Sequence, residues 1–300
     1  MVPDDNRFLA LLAVGGPIVA DGAMGTELLR AGEGGGERLE SWVLDPGRAP
    51  LVAAVHRAYR DAGARIVLAN SFGANPIRLG LPPDRAVEVA RAAAALARDA
   101  VGPDTIVAGS VGPTGALLEP YGELSPAAAR EAFAVAIAGL AAGGADVIWI
   151  ETMSDLDEAR AALAAAADVA PGLPAVVTLT FERGRTMMGT RPEEAAAVLA
   201  ELGVAAVGAN CGNGFEEVER VLPGLVAGAP GLAIVAKANA GRPVIDVDGG
   251  VVYPGTPAEA AAHARRALSA GARIVGGCCG TTAAHVAAIA EALSAAAGAS

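Results

Sequence analysis

The sequence predicts an α/β chain folded as a (β/α)8 (TIM) barrel, one domain over residues 1–300. Three observations predict it: eight short runs rich in β-branched residues, Ala-rich helical stretches between them, and glycines that close several of those helices just before the next run. Length agrees, since a barrel of about 300 residues is routinely one domain.

The first run, "PIVAD" (17–21), leads into the turn "DGAMG", and Gly34 to Gly36 read as a loop tip beyond it. "RIVLANS" (65–71), "TIVAGSV" (105–111) and "DVIWIE" (146–151) follow. Then come "AVVTLT" (175–180), "AVGANC" (206–211), "AIVAKAN" (233–239) and "RIVGGCC" (273–279). Each is too short for a helix and reads as a strand buried on both faces. "PEEAAAVLAELG" (192–203) and "PAEAAAHARRALSAG" (257–271) are helical, and Gly63, Gly203 and Gly271 suit C-terminal caps. Strand alternating with helix implies parallel strands with right-handed crossovers. A doubly wound open sheet is the runner-up, weakened because no Gly-x-Gly-x-x-Gly follows the first strand.

Hydrophobic residues make up 53% of the chain, which marks it as globular. The formal charge of −11 disfavours nucleic acid and anionic membrane as partners. No apolar run approaches a membrane span, and the acidic flanks of the N-terminal apolar patch are unlike a signal peptide. Three cysteines make no disulfide framework, so the expected compartment is the reducing cytoplasm.

In a barrel the chemistry sits at the C-terminal ends of the strands. Those ends carry Asp21, Asn70, Ser71, Ser110, Glu151, Thr180, Cys211, Asn239, Cys278 and Cys279, which include every cysteine of the protein. Cys211 ends the sixth strand and the adjacent pair ends the eighth, so one strand separates them. Three converging thiolates match a zinc site with one position open for water or substrate. The competing reading is three small residues filling a tight strand end. A redox pair fits less well, because vicinal cysteines make a strained disulfide and there is no Cys-x-x-Cys.

Asp21 either caps a turn or faces the mouth. Glu151 projects from a buried strand, and a buried carboxylate needs a partner. Two carboxylates at one mouth could hold the ammonium of an amino acid, or do acid/base work on a sugar. The cysteines argue against the sugar. His56, His263 and His285 fall in predicted helices, with surface or packing roles expected. "GSVGPTG" (109–115) and "GANCGNG" (208–214) lack the phosphate-loop pattern and read as close-approach loops around the mouth.

"DGAMGTELLRAG", "ANSFGA", "GSVGPTG", "ET", "GANCG", "NAGRP" and "GGCCGTT" occur in that order across nearly the whole chain. This pattern resembles the homocysteine S-methyltransferase family. "NSFGA", "NAGRPV" with "YP" downstream, and "GGCCGTT" are most similar to the homocysteine-binding domain of its cobalamin-dependent methionine synthase branch. The resemblance implies one Zn²⁺ on Cys211, Cys278 and Cys279, and conversion of homocysteine, activated as a zinc-bound thiolate, to methionine. It implies that the substrate ammonium meets Asp21 and Glu151. The carboxylate would meet backbone N–H groups around Gly22 and Ala23 and near Ser71. Asn239 would occupy the open position of the metal when no substrate is bound. Methylcobalamin is the implied methyl donor, carried by a separate corrinoid domain or protein, since the chain shows no Asp-x-His-x-x-Gly signature. S-methylmethionine or betaine as donor, and a module that only presents homocysteine, are the alternatives. Lys237 and Ala238 stand where the synthase branch carries an acidic residue and a proline, so the seventh loop departs from that branch.

Overall fold

A computed structural model describes residues 6–31, 38–247 and 250–298; the Gly34 to Gly36 loop tip lies outside the described residues. The β-branched runs form strands where expected: β1 (Ile18–Val19), β2 (Ile66–Leu68), β3 (Ile106–Val111), β4 (Val147–Met153), β5 (Ala175–Leu179), β6 (Ala206–Cys211) and β7 (Ala233–Ala238). A hairpin that the sequence does not predict follows, β8 (Val244–Ile245) and β9 (Val251–Val252), so the last barrel strand is β10 (Ala272–Gly277).

The helices are α1 (Arg7–Val14), α2 (Gly25–Ala31), α3 (Ala49–Asp61), α4 (Pro76–Leu79), α5 (Pro83–Val101) and α6 (Pro126–Ala142). The second half supplies α7 (Leu156–Val169), α8 (Pro192–Glu201), α9 (Phe215–Gly228), α10 (Pro257–Ser269) and α11 (Ala283–Ala297). Gly63, Gly203 and Gly271 each stand one residue past a helix C-cap with φ of +102°, +78° and +96°, the left-handed conformation that ends a helix cheaply only with glycine.

All eight barrel strands are parallel, in the order β1-β10-β7-β6-β5-β4-β3-β2. A parallel bridge between Ala20 and Ile66 joins the two ends, with Arg65 N–H donating to Val19 O at 2.8 Å and Asp21 N–H to Ile66 O at 3.0 Å. The sheet is therefore closed, which rules out the open doubly wound alternative.

Side chains alternate across each strand, so each strand feeds two cores. Val67, Val107, Ile148, Val177, Val207 and Val275 face out and pack under the helices. Ile66, Ile106, Val147, Trp149, Val176 and Ile274 face in and form a separate cluster with Phe8 of α1. That helix lies across the N-terminal end of the barrel. Asn6 caps it and also donates to Asp146 O at 2.9 Å, Arg7 pairs with Asp146 at 3.1 Å, and Arg273 reaches back to Leu12 O. The apolar N-terminal patch is thus the floor of the barrel. The three histidines do lie in helices, but all are buried, which corrects the surface role: His263 bonds Glu219 at 2.7 Å, and His285 bonds Gly255 O at 2.9 Å. Among the described residues no helix is long and apolar enough to cross a membrane.

Candidate metal centre and acceptor pocket

The three thiols meet. Cys211, Cys278 and Cys279 place their Sγ atoms all within 4.8 Å of one another, at the mouth above β6, β7 and β10. Two backbone devices bring them there. Cys211 takes φ +66°, unusual for a residue with a side chain, so the strand turns as it ends. The segment after β10 is stitched to its neighbours: Cys278 N–H donates to Ala238 O at 2.8 Å, and Ala240 N–H to Cys279 O at 2.9 Å. Thr281 locks the turn by donating to Cys278 O at 2.7 Å and accepting Ala23 N–H at 3.0 Å. Gly277 is required beneath it, because a Cβ there would stand 2.2 Å from Thr281 Oγ1.

The donor set fits zinc. Zn–S bonds of about 2.3 Å in a tetrahedron place sulfurs about 3.8 Å apart, within reach of the spread observed. The thiols oppose each other's ionisation when nothing positive sits among them. In Cys211, the hydrogen bond with Cys278 pulls the pKa down, but that with Cys279 and burial carry it up to about 11. In Cys279, the bond with Cys211 lowers it while Cys278 and burial raise it to about 12. The bond with Cys211 pushes Cys278 up, and burial adds to it. Asn239 stands alongside, donating to Gly212 O at 2.7 Å and Cys211 Sγ at 3.6 Å, while its own Oδ1 is buried without a hydrogen-bond partner among the described residues. That leaves a free acceptor beside the three thiols.

A cavity of about 350 Å³ opens beside the cysteines, with Asp21, Gly22, Ala23, Ser71, Glu151 and Lys237 in its wall. Glu151 is buried and accepts the Ser110 hydroxyl at 2.5 Å. Burial pushes its carboxyl up, Lys237 and Ser110 pull it down, and Asp21 adds a further push upward. Asp21 is equally buried but bound differently, with Lys237 Nζ at 2.5 Å from Oδ1 and Leu68 N–H at 2.7 Å from Oδ2. Burial raises its pKa and Lys237 opposes that rise. Two of the expected backbone donors are committed inside the protein: Ala23 N–H to Thr281, and Ser71 N–H to Ala69 O at 2.7 Å.

Asn210 was not among the residues expected at the site. Its Oδ1 accepts Thr152 N–H and the Thr178 hydroxyl, each at 2.8 Å, and its Nδ2 donates to Thr152 Oγ1 at 2.7 Å. The same Nδ2 lies 3.5 Å from Glu151 Oε2 and 3.7 Å from Cys278 Sγ. Asn210 therefore spans the carboxylate and the thiol cluster. Period-two counting along β6 was the available signal: if Ala206 and Gly208 face in, so does residue 210.

Comparison with known proteins agrees with this geometry. Residues 18–293 match the homocysteine S-methyltransferase family. The methionine synthase of Mycobacterium tuberculosis is 35% identical over 92% of this chain but only 24% of its own length, and that of Mycobacterium leprae is 33% identical over the same shares. The chain thus spans about a quarter of the length of these curated relatives. The metallated form of the homocysteine methyltransferase MmuM from Escherichia coli superposes with a TM-score of 0.79 at 27% identity, covering 94% of this chain and 98% of that one. A family match over most of the chain, falling on a closed barrel with three thiols at its mouth, establishes that the chain belongs to the homocysteine S-methyltransferase family.

Proposed function

We propose that this chain methylates homocysteine to methionine at a single zinc on Cys211, Cys278 and Cys279, with methylcobalamin on a separate corrinoid domain or protein as donor. The observation that carries the reading is the convergence of three thiols, within 4.8 Å of one another, at the edge of a cavity walled by Glu151. Cys211, Cys278 and Cys279 would hold the zinc, which would supply the charge that keeps the substrate sulfur deprotonated at neutral pH, where a free thiol with a pKa near 8.5 is mostly protonated. The protein's own groups do the rest. Glu151 faces the substrate ammonium, with Asp21 held behind it by Lys237. The loop of Gly22 and Ala23 faces its carboxylate, with Gly22 N–H the donor, since the Ala23 and Ser71 N–H groups are already engaged. Asn239 would offer its Oδ1 to the metal when no substrate thiol is bound. Held this way, the sulfur presents an electron pair to the mouth and forms the S–CH3 bond as the donor keeps the pair of the bond it loses. The site needs reduced thiols, in keeping with a cytoplasmic setting.

The identity with the two methionine synthases, at 35% and 33%, supports the corrinoid donor. The nearly end-to-end match with the E. coli homocysteine methyltransferase, 98% of that chain, supports a second reading with a small-molecule donor such as S-methylmethionine. Reconstitution under reducing conditions, metal analysis and spectroscopy decide. About one zinc per chain and homocysteine-dependent loss of methylcobalamin absorbance are expected. Less than a tenth of an equivalent of zinc would sink the metal reading. Inert methylcobalamin with rapid methionine formation from S-methylmethionine would move the chain to the second donor.

A further inference from the structure

Lys237 is a cation that the acceptor chemistry above does not use. It lies on β7 and is 2% exposed. Its Nζ sits 2.5 Å from Asp21 Oδ1 and 3.0 Å from Asp21 O. Since β10 separates β7 from β1, the side chain must cross a strand to get there. It crosses at its own register partner, Gly276. A Cβ on Gly276 would stand 2.7 Å from that same Asp21 carbonyl oxygen, so glycine keeps the crossing open. Leu68 N–H holds the other carboxylate oxygen, and both oxygens of Asp21 are engaged before any substrate arrives.

Glu151 is less occupied. Ser110 takes Oε1, but the donor facing Oε2 is Asn210 Nδ2 at 3.5 Å, and that nitrogen has a better acceptor in Thr152 Oγ1 at 2.7 Å. The third carboxylate in the cavity wall, the half-buried Glu40, accepts Gly73 N–H at 2.8 Å.

We infer that Lys237 is a specificity-determining residue: it withdraws Asp21 from amine recognition, so the chain distinguishes an amino-bearing thiol from its amine-free analogue through Glu151 alone. The inference rests on the reading that the pocket accepts homocysteine. Its physical content is charge. Asp21 and Lys237 neutralise each other in contact, and the ammonium meets one carboxylate without an ion-pair partner among the described residues, in place of two.

The test is the affinity ratio of homocysteine to 4-mercaptobutanoate, which lacks only the amino group. It is read on cobalt-substituted protein from the thiolate-to-metal absorption band and repeated by calorimetry on the zinc form. In the unmodified protein the ratio should be about ten- to a hundredfold, the value of one charged hydrogen bond. Glu151→Gln should collapse it to within about threefold of unity, whereas the charge-balanced double variant Asp21→Asn/Lys237→Gln and the rim variant Glu40→Gln should leave it within about threefold of the unmodified value. A tenfold or larger ratio surviving in Glu151→Gln overturns the inference, as does its collapse in the double variant or in Glu40→Gln. If the double variant does not fold, Glu151→Gln and Glu40→Gln still decide. If both thiols bind and the ratios disagree, only the role of Lys237 falls; if neither thiol perturbs the metal spectrum, the acceptor reading falls and takes this inference with it.

Discussion

The two ends of the barrel are built from the same strands and have opposite characters. At the N-terminal end the inward positions are Ile18, Ile66, Ile106, Val147, Val176, Ala206, Ala233 and Ile274, sealed by Phe8 from α1. At the C-terminal end the last inward positions include Ser110, Glu151, Thr178, Asn210 and Lys237, all buried, and the thiols lie beyond them. Nothing about the strands changes from floor to mouth except which side chain arrives inside. The floor holds by dispersion and exclusion of water. The mouth holds by giving the charges it buries hydrogen-bonded partners, Lys237 and Leu68 N–H for Asp21 and the Ser110 hydroxyl for Glu151, and the orphaned Asn239 Oδ1 sits beside the thiols. Stability and chemistry are thereby assigned to different layers of one stack, so each should be removable without the other.

The largest effect that separation allows is loss of activity without loss of fold. Cys211→Ala, Cys278→Ala or Cys279→Ala should each abolish tight zinc binding and lower turnover at least a thousandfold, on the order of the catalysis a metal-activated nucleophile supplies, with the circular dichroism spectrum unchanged. A mutant that kept both would not have lost a ligand. The floor should behave in the opposite way. Phe8→Ala empties a fully buried site beneath the strands and should cost about 3–5 kcal/mol in denaturant unfolding, with metal stoichiometry still near one. A stability loss below about 1 kcal/mol would mean that α1 does not seal the barrel.

A smaller, pH-dependent effect comes from the wall between the two ends. His56 on α3 is fully buried, neither ring nitrogen has a partner among the described residues, and burial, with Arg57 adding, holds its pKa down at about 4 against an ordinary 6.5. The unfolded chain binds the proton first as pH falls, so stability should decline between about 6.5 and 4 and level off below. His56→Leu should flatten the part of the curve due to this residue, worth a few kcal/mol across the window, and comparison of unfolding at pH 7 and pH 5 will show whether it does. The smallest effect belongs to the rim of the floor. Asn6→Ala removes the side-chain cap that accepts Phe8 and Leu9 N–H groups and should cost about 1 kcal/mol, detectable as a shift in Tm with activity intact.

The contrast between the ends also accounts for what was legible in the sequence. Eight strands and their order could be read because β-branched runs buried on two faces carry one simple pattern. The thiol cluster could be read because the chain has only three cysteines and sets all of them at two strand ends one strand apart, a concentration of thiols that packing alone does not require. Lys237 stood out as a departure in the seventh run, but its partner did not, because Asp21 lies two strands away at the opposite end of the sequence and the crossing depends on the absence of a side chain at Gly276. Asn210 was hidden by its neighbour. Cys211 drew the eye, while the inward alternation pointed to the residue before it. The β8–β9 hairpin escaped because each of its strands is two residues long, too short for any period to register.

The sealing of the floor has a consequence for the order of assembly. Arg7 and Asn6 bind at Asp146, where β4 begins, and Arg273 at the start of the last strand holds the far end of α1. A ribosome makes α1 before any strand of the barrel, yet the ring of strand ends it covers is complete only when β10 has been made. Until then Phe8, Leu9 and Leu12 have no finished surface to occupy, and their apolar faces stay available to other partners, chaperones among them. The contacts that seat the plug span most of the chain's length, so they close late and slowly. The first of the barrel's helices to be made can be fully seated only after its last strand is in place.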